Sequence, residues 1–246
     1  MNNDLDNQTK SKKKSTPIRN FLWGTFFAMM FTIALGLIFH SQVSGWLIQS
    51  YHPALTAEEL RNNLNAETTY DFASVEDMDI QKVAAARASN TKLNIIGLIS
   101  VPEINMNLTI TPGVDNQALA LAAGTLNEDQ KMGEGNYALA AHHMVSEEAL
   151  FGPIATKGKV GQKVYITDLE KVYEYKITKR DLIKATDVEI IDPVEGKKLI
   201  TLITCDATGD KRWMAQGKLV KSYDMDEAPK KALDGFSKAA DVKSNF

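Results

Sequence analysis

An apolar run without a charged residue, residues 21–39, divides the chain into two unequal parts. As a helix, its 19 residues would extend for about 28 Å, close to the roughly 30 Å hydrocarbon core of a bilayer. A cleaved signal peptide is the alternative, but its apolar part is shorter, roughly 7–15 residues, and ends at an Ala-x-Ala type of site. No such site follows this run. We therefore expect an uncleaved transmembrane anchor.

The distribution of positive charge predicts the orientation of this anchor. Five Lys and Arg residues precede the run, and none follows it until Arg61. Basic residues are retained on the cytoplasmic side of a membrane. The N-terminus is therefore predicted to be cytoplasmic and everything after residue 40 extracellular, with membrane lipid around the helix.

The overall composition excludes two further classes of protein. A net charge of −3 is too small to indicate nucleic-acid binding. The single cysteine, Cys205, excludes an internal disulfide framework.

Five segments follow from these patterns. They are a basic cytoplasmic tail (1–20), the anchor (21–39), an extracellular spacer with short helices (40–90), a β-domain (91–224) and a C-terminal tail (225–246). In the spacer, the capping-box spacing of Thr56 and Glu59 predicts one helix start, and residues 75–88 predict a second helix. The tail is Ala-rich and charged, so we expect it to be a fraying helix or disordered.

From Leu93 onward, short β-type runs alternate with turn signals. Many short strands with few helices are typical of an all-β barrel or sandwich. The predicted strands cover residues 94–100, 106–109, 137–142, 163–167, 171–183, 197–204 and 213–223.

Chemically reactive side chains stand at the ends of these predicted strands. Cys205 ends one strand, His142 ends another, and Arg212 opens a third. A lone cysteine is more often a buried apolar residue. Here it lies at the junction of a strand and a polar loop, where it can serve as a nucleophile beside a base and an oxyanion partner.

The run Thr201-Leu202-Ile203-Thr204-Cys205 resembles the Thr-Leu-x-Thr-Cys signature of sortases, the transpeptidases of Gram-positive bacteria. Three further features appear in the order of that family: residues 122–126 (AAGTL), residues 135–140 (GNYALA) with His142, and Lys211-Arg212. The resemblance is to class A and covers roughly residues 93–223.

This resemblance implies a closed β-barrel of about eight strands. It implies that Cys205 is the nucleophile and that His142 is the proton donor and acceptor. Arg212 would then bind the substrate backbone and the oxyanion. His142 is preferred to His143 because the family's histidine directly follows a small residue, here Ala141; His143 would shape the rim. Whether Cys205 and His142 form an ion pair or a neutral pair stays open.

The same resemblance implies a substrate and a groove. The substrate would be a Leu-Pro-x-Thr-Gly (LPxTG) signal cut between Thr and Gly, and the acceptor a lipid-linked cell-wall precursor amine. The groove would include Thr204 and a connecting loop with Val188, Ile190 and Ile191. No cofactor is expected. Three acids, Glu128, Asp129 and Glu134, share one loop, but too few oxygens are present to predict calcium.

Two alternatives remain at the level of the sequence. A pilin-polymerising or other specialised sortase would use a lysine side chain as the acceptor amine. Such enzymes usually carry a lid and a second apolar span, which the sequence does not indicate. A non-catalytic anchored β-barrel, in which Cys205 only packs, is the second alternative.

Overall fold

The structure, a computed structural model, describes residues 17–71, 75, 80–89, 92–143 and 148–242. Contacts divide the chain into two units, Met1–His40 and Ser41–Phe246. Within the described residues, one helix is long and apolar enough to cross a membrane, over Arg19–Phe39, and none of that span is buried. This helix agrees with the predicted single anchor.

After this helix, most of the secondary-structure elements are β-strands. The helices are α1 (Pro17–Gln49), α2 (Ala57–Asn63), α3 (Ile80–Ala88), α4 (Asn116–Leu119), α5 (Gly152–Lys157) and α6 (Lys230–Ala239). The first five strands are β1 (Ala54–Leu55), β2 (Gly97–Val101), β3 (Met106–Thr111), β4 (Ala123–Thr125) and β5 (Asn136–Ala140). The others are β6 (Lys163–Thr167), β7 (Lys171–Lys184), β8 (Leu199–Cys205), β9 (Lys211–Asp224) and β10 (Asp241–Val242).

Strands β2 to β9 close into an eight-stranded barrel in the order β2-β3-β4-β5-β8-β9-β7-β6. The β3–β4 and β5–β8 pairs are parallel, and the other neighbouring pairs are antiparallel. The barrel predicted from the family resemblance is therefore confirmed. Strand β4 was not predicted, because it has only three residues and contains Gly124, so it carries little β signal.

Apolar side chains of the strands fill the barrel. Strand β2 is buried along its whole length, as expected for a strand covered on both faces. Large side chains with almost no exposure complete the core; they include Tyr137, Tyr165, Tyr175, Phe151 and Leu139.

The predicted spacer packs against the barrel through two helices. Thr56 caps α2, and its hydroxyl accepts the Glu59 N–H at 3.2 Å, which agrees with the predicted helix start. Leu60 of α2 is 1% exposed and Val83 of α3 is 0% exposed. The second predicted helix, over residues 75–88, is present over Ile80–Ala88, and its part over residues 76–79 lies outside the described residues.

The expectation of a fraying or disordered tail is wrong for residues 230–239. Helix α6 packs on β2 and β3, with Phe236 only 1% exposed. Gly235 permits this contact, since a Cβ there would lie 2.0 Å from Ser100 Oγ. Strand β10 then pairs with β1 in parallel. Burial of the apolar face of α6 stabilises this helix, although the charged residues of the segment suggested a disordered tail.

Candidate active site

The antiparallel pairing of β8 and β9 brings the predicted nucleophile and cation together. Cys205 is the last residue of β8 and is directly opposite Arg212 of β9. Directly opposed residues in antiparallel strands have Cβ atoms about 4.5–5.5 Å apart on the same face. The thiol and the guanidinium therefore share one face at one end of the barrel.

The parallel pairing of β5 and β8 brings His142 to the same end. Ala140 pairs with Ile203, and His142 and Cys205 each lie two residues further along their strands. The pairing continues past β5 through two hydrogen bonds. The Ala141 N–H donates to the Ile203 carbonyl at 3.3 Å, and the Thr204 hydroxyl donates to the Ala141 carbonyl at 2.8 Å.

This end of the barrel opens into an apolar cavity of about 230 Å³. The seven residues predicted to act in catalysis or to line the groove all border it: Cys205, His142, Arg212, Thr204, Val188, Ile190 and Ile191. Cys205 and His142 are half-buried, so the cavity connects the reactive groups with solvent. An extended peptide with an apolar side chain could lie here with a carbonyl near the thiol.

Asp206 organises the loop between the thiol and the guanidinium. Its backbone N–H donates to the Lys211 carbonyl at 3.0 Å, and its Oδ1 accepts the Lys211 N–H at 3.1 Å. Partial desolvation raises the pKa of Asp206, but the hydrogen bonds from the Lys211 N–H and the Thr208 hydroxyl outweigh it and lower the pKa. The ionised carboxylate therefore fixes the point where β9 begins.

Arg212 is held by this same loop. Its Nη1 donates to the Gly209 carbonyl at 2.7 Å and to the Lys211 carbonyl at 3.0 Å. A planar guanidinium with five N–H donors can make these bonds and still present donors to a substrate. The ammonium group of Lys211 has no such fork.

Two asparagine side chains fix the connecting loop that forms one side of the cavity. The loop contains a 3-10 helix over Val188–Ile191. Asn136 Nδ2 donates to the carbonyls of Ile190 and Asp192 at 3.0 and 3.1 Å, and Asn127 Nδ2 donates to the Ile191 carbonyl at 2.9 Å. Val188 is 65% exposed at the surface of this loop, which leaves its side chain accessible to a ligand.

His143 has a closer relation to the nucleophile than its predicted place at the rim. Its Nδ1 lies 3.0 Å from the backbone carbonyl oxygen of Cys205. A carbonyl can only accept, so Nδ1 carries the proton in this hydrogen bond. This contact could not be predicted from the sequence, because a strand pattern points two successive histidines to opposite faces.

Three further residues belong to the site but were not assigned to it from the sequence: Asn136, Asp206 and Val75. Asn136 is part of the GNYALA run, so its position in a recognised motif was a usable signal. Asp206 directly follows the cysteine. Val75 lines the cavity from far along the chain, and nothing in its neighbourhood indicated this.

The acidic loop carries no metal-binding arrangement among the residues that the structure describes. Glu128, Asp129 and Glu134 line an open depression together with Lys131, whose positive charge disfavours a cation. The expectation that no cofactor is needed stays a prediction.

Comparisons with known proteins agree with this arrangement. The model of the sortase domain matches residues 99–220. Sortase A of Streptococcus agalactiae is 34% identical over 240 residues, covering 93% of this chain and 97% of the relative. Sortase A of Listeria monocytogenes is 38% identical over 205 residues, covering 80% of this chain and 91% of the relative.

Solved structures give the same result. The crystal structure of Listeria monocytogenes sortase A is 42% identical, with a TM-score of 0.54, and covers 58% of this chain and 97% of that chain. Sortase C-3 of Streptococcus pneumoniae is 20% identical, with a TM-score of 0.53, over 70% of this chain and 86% of that one. The second similarity supports the fold alone.

A closed barrel with a thiol, an imidazole and a guanidinium at one end is typical of cysteine transpeptidases. The chain belongs to the sortase family, and its relatives indicate class A. Sortases are membrane-anchored enzymes, and the helix over Arg19–Phe39 is a suitable single-pass anchor.

Proposed function

We propose that this sortase cleaves LPxTG signals between Thr and Gly and transfers the Thr carbonyl to a cell-wall precursor amine. The observation that carries the proposal is the register of three strands. It brings Cys205, His142 and Arg212 into one apolar cavity.

In the first half of the reaction, the Cys205 thiolate attacks the Thr carbonyl carbon and the carbonyl oxygen becomes an oxyanion. Arg212 N–H groups donate to this oxyanion. The tetrahedral species collapses to a thioester, the Thr–Gly bond breaks, and His142 protonates the departing Gly amine.

In the second half, an incoming amine attacks the thioester and His142 takes one of its protons. A new amide bond forms and the Cys205 thiolate leaves. The thiolate is the reactive form of Cys205. An isolated thiol with a pKa of about 8.5 is only roughly 3% ionised at pH 7, so the placement of Cys205 beside His142 and Arg212 in one cavity supports the reaction.

The apolar loop over Val188–Ile191 supports the choice of substrate. Val188, Ile190 and Ile191 give the cavity an aliphatic wall that fits the Leu and Pro of the signal. The Thr204 hydroxyl donates a hydrogen bond to the Ala141 carbonyl, so its oxygen lone pairs are left to accept a peptide N–H.

The catalytic unit faces the outside of the cell in this proposal. The five basic residues before the anchor support this orientation. Protease added to intact wall-less cells should degrade the part after residue 40 and spare the N-terminal tail. Degradation of the tail alone would overturn the orientation.

The reaction is tested with the full chain in detergent, an LPxTG peptide and a panel of amines. Mass analysis should find the Thr-ended fragment joined to a precursor-type amine. Transfer only to a lysine side-chain amine would favour the pilin-polymerising alternative, and no cleavage would contradict the proposal. Cys205→Ala is the matched control.

A further inference from the structure

A residue from the segment before the barrel lies in the catalytic cavity. Val75 lines the cavity that also contains Cys205, His142 and Arg212. It packs, partly buried, against a small apolar cluster on the cavity floor. The cluster consists of Val114, Leu119, Leu126 and Ala138. The segment treated as a spacer in the sequence therefore contributes to the groove itself.

One side-chain and one backbone hydrogen bond fix the chain on the N-terminal side of Val75, at Thr68 and Thr69. The Thr68 hydroxyl donates to the Pro112 carbonyl at 2.9 Å, and the Val114 N–H donates to the Thr69 carbonyl at 2.8 Å. Between these contacts, Gly113 has a φ of +67°, and a Cβ there would lie 2.3 Å from Thr68 Oγ1. The segment and the loop thus pack too closely for any side chain at position 113.

A second set of contacts fixes the chain on the C-terminal side. Helix α3 begins five residues after Val75, at Ile80, and packs on α4. Gln117 of α4 donates to the Ser89 hydroxyl, and Val83 of α3 is 0% exposed. The described stretches on both sides of Val75, up to Asp71 and from Ile80, therefore contact the Val114–Leu119 wall.

Apolar side chains from two separate segments of the chain line the cavity. One segment contains Val188, Ile190 and Ile191, the loop already expected to contact the signal. The other contains Val75, which packs on the cluster with Val114 and Leu119, as does Ile191. A groove lined by aliphatic side chains selects an aliphatic side chain by size, because a mismatched side chain loses contact or clashes.

We infer that Val75 is a specificity-determining residue, which limits the size of the apolar side chain that the groove accepts. This inference rests on the proposed function, because the side chain concerned is the Leu of the LPxTG signal. Leu is the residue of this motif with an acyclic aliphatic side chain. The cavity that would hold it also contains Cys205, which attacks the same peptide.

The test uses the full chain in detergent and two peptides, LPxTG and a version with Phe in place of Leu. The quantity measured is the ratio of kcat/KM for the Phe peptide to kcat/KM for the Leu peptide. Val75→Ala should raise this ratio by about tenfold, and Val75→Leu should lower it, since one extra or missing methylene in an apolar pocket changes selectivity by about 10–200-fold. Val160→Ala is the control, because Val160 is 61% exposed and does not line the cavity; its ratio should equal that of the wild type.

Two results would overturn the inference while leaving the proposed function intact. One is an unchanged ratio in both Val75 variants. The other is an equal rise in kcat/KM for both peptides in Val75→Ala, which would show that Val75 limits access of both peptides and does not discriminate between their side chains. A wild-type chain that cleaves neither peptide would overturn the proposed function, and the inference would fall with it.

Discussion

Cys205 and Arg212 are directly opposite each other in β8 and β9 and form the last residue pair before the connecting loop. The two residues are seven positions apart in the sequence. The antiparallel hairpin of β8 and β9 places them side by side. Asp206 closes the loop at its base by pairing with the backbone of Lys211. The geometry of the pair is therefore set by the backbone and does not depend on a flexible loop.

The first prediction separates the shape of Arg212 from its charge. Arg212→Lys should lose at least about a hundredfold in peptide acylation, the cost of removing one oxyanion donor. A lysine cannot contact the Gly209 and Lys211 carbonyls and also present a fork to the substrate. The measurement is the acylation rate with a single LPxTG peptide.

Lys211→Ala is the matched control for this prediction. Lys211 is adjacent to Arg212, but its side chain is exposed and does not line the cavity, so little activity should be lost. An Arg212→Lys enzyme within a few-fold of the wild type would show that positive charge alone is sufficient.

The second prediction concerns the hydrogen bond from His143 Nδ1 to the Cys205 carbonyl. This bond positions the backbone of the nucleophile. Its loss in His143→Ala should lower the acylation rate by about twofold to tenfold, the equivalent of one ordinary hydrogen bond of about 0.5–1.5 kcal/mol.

Two amide variants distinguish positioning from packing. Asn carries an N–H near the place of Nδ1, whereas Gln carries it near the place of Nε2. His143→Asn should therefore recover most of the rate, and His143→Gln should not. Equal activity of the Asn, Gln and Ala variants would show that the hydrogen bond has no effect on catalysis.

The third prediction concerns stability and pH at Glu174 of β7. This carboxylate is 2% exposed, pairs with Lys163 and accepts the Tyr223 hydroxyl at 2.8 Å. Burial raises the pKa of Glu174, but the hydrogen bonds from Lys163 and Tyr223 outweigh it and lower the pKa below its ordinary 4.5. At pH 7, Glu174→Gln should reduce the free energy of unfolding by about 1.5–3 kcal/mol.

The sign of the pH effect follows from this lowered pKa. A carboxyl with a lower pKa in the folded state stabilises the fold above its unfolded-state pKa, and this stabilisation is lost as pH falls through the folded-state pKa. Denaturant unfolding should therefore show a smaller difference between wild type and Glu174→Gln at pH 3 than at pH 7. Glu170→Gln is the control, since its pair with Arg61 is exposed and contributes less than about 1 kcal/mol. A difference that grows on acidification would contradict the lowered pKa.

The fourth prediction concerns metal removal. We expect a calcium chelator to leave the transpeptidation rate unchanged, because hard cations need six or more oxygen ligands. The residues that the structure describes contain no group of three or more acidic, histidine or cysteine side chains placed to hold a metal. A rate that falls on chelation and returns with calcium would assign a metal to the loop of Glu128 and Asp129.

The structure brings Cys205, His142 and Arg212 to one cavity, and their catalytic roles stay a prediction. These residues could be singled out from the sequence because each lies at the end of a β-type run and within a family motif. Their pairing could not, because whether β5 and β8 are parallel depends on how distant strands meet and not on either strand alone. Strand β4 was missed because three residues carry too little periodicity to be recognised.

The segments outside the barrel were predicted least well. Helix α6 was interpreted as a tail because its charge was visible and its partner, the β2–β3 surface at Ser100, was not. Val75 was assigned to a helix, although it lies before α3 and in the catalytic cavity. Such long-range packing of a few apolar side chains leaves no local pattern in a sequence.

The most direct test of the account is a covalent intermediate on Cys205. The full chain is incubated with an LPxTG peptide without an acceptor amine, quenched, and measured as an intact mass. We expect an adduct of the Thr-ended fragment without Gly, mapped to Cys205, the one cysteine of the chain, and removed when an amine is added. A Cys205→Ala chain that still cleaves or joins the peptide at the wild-type rate would contradict the account.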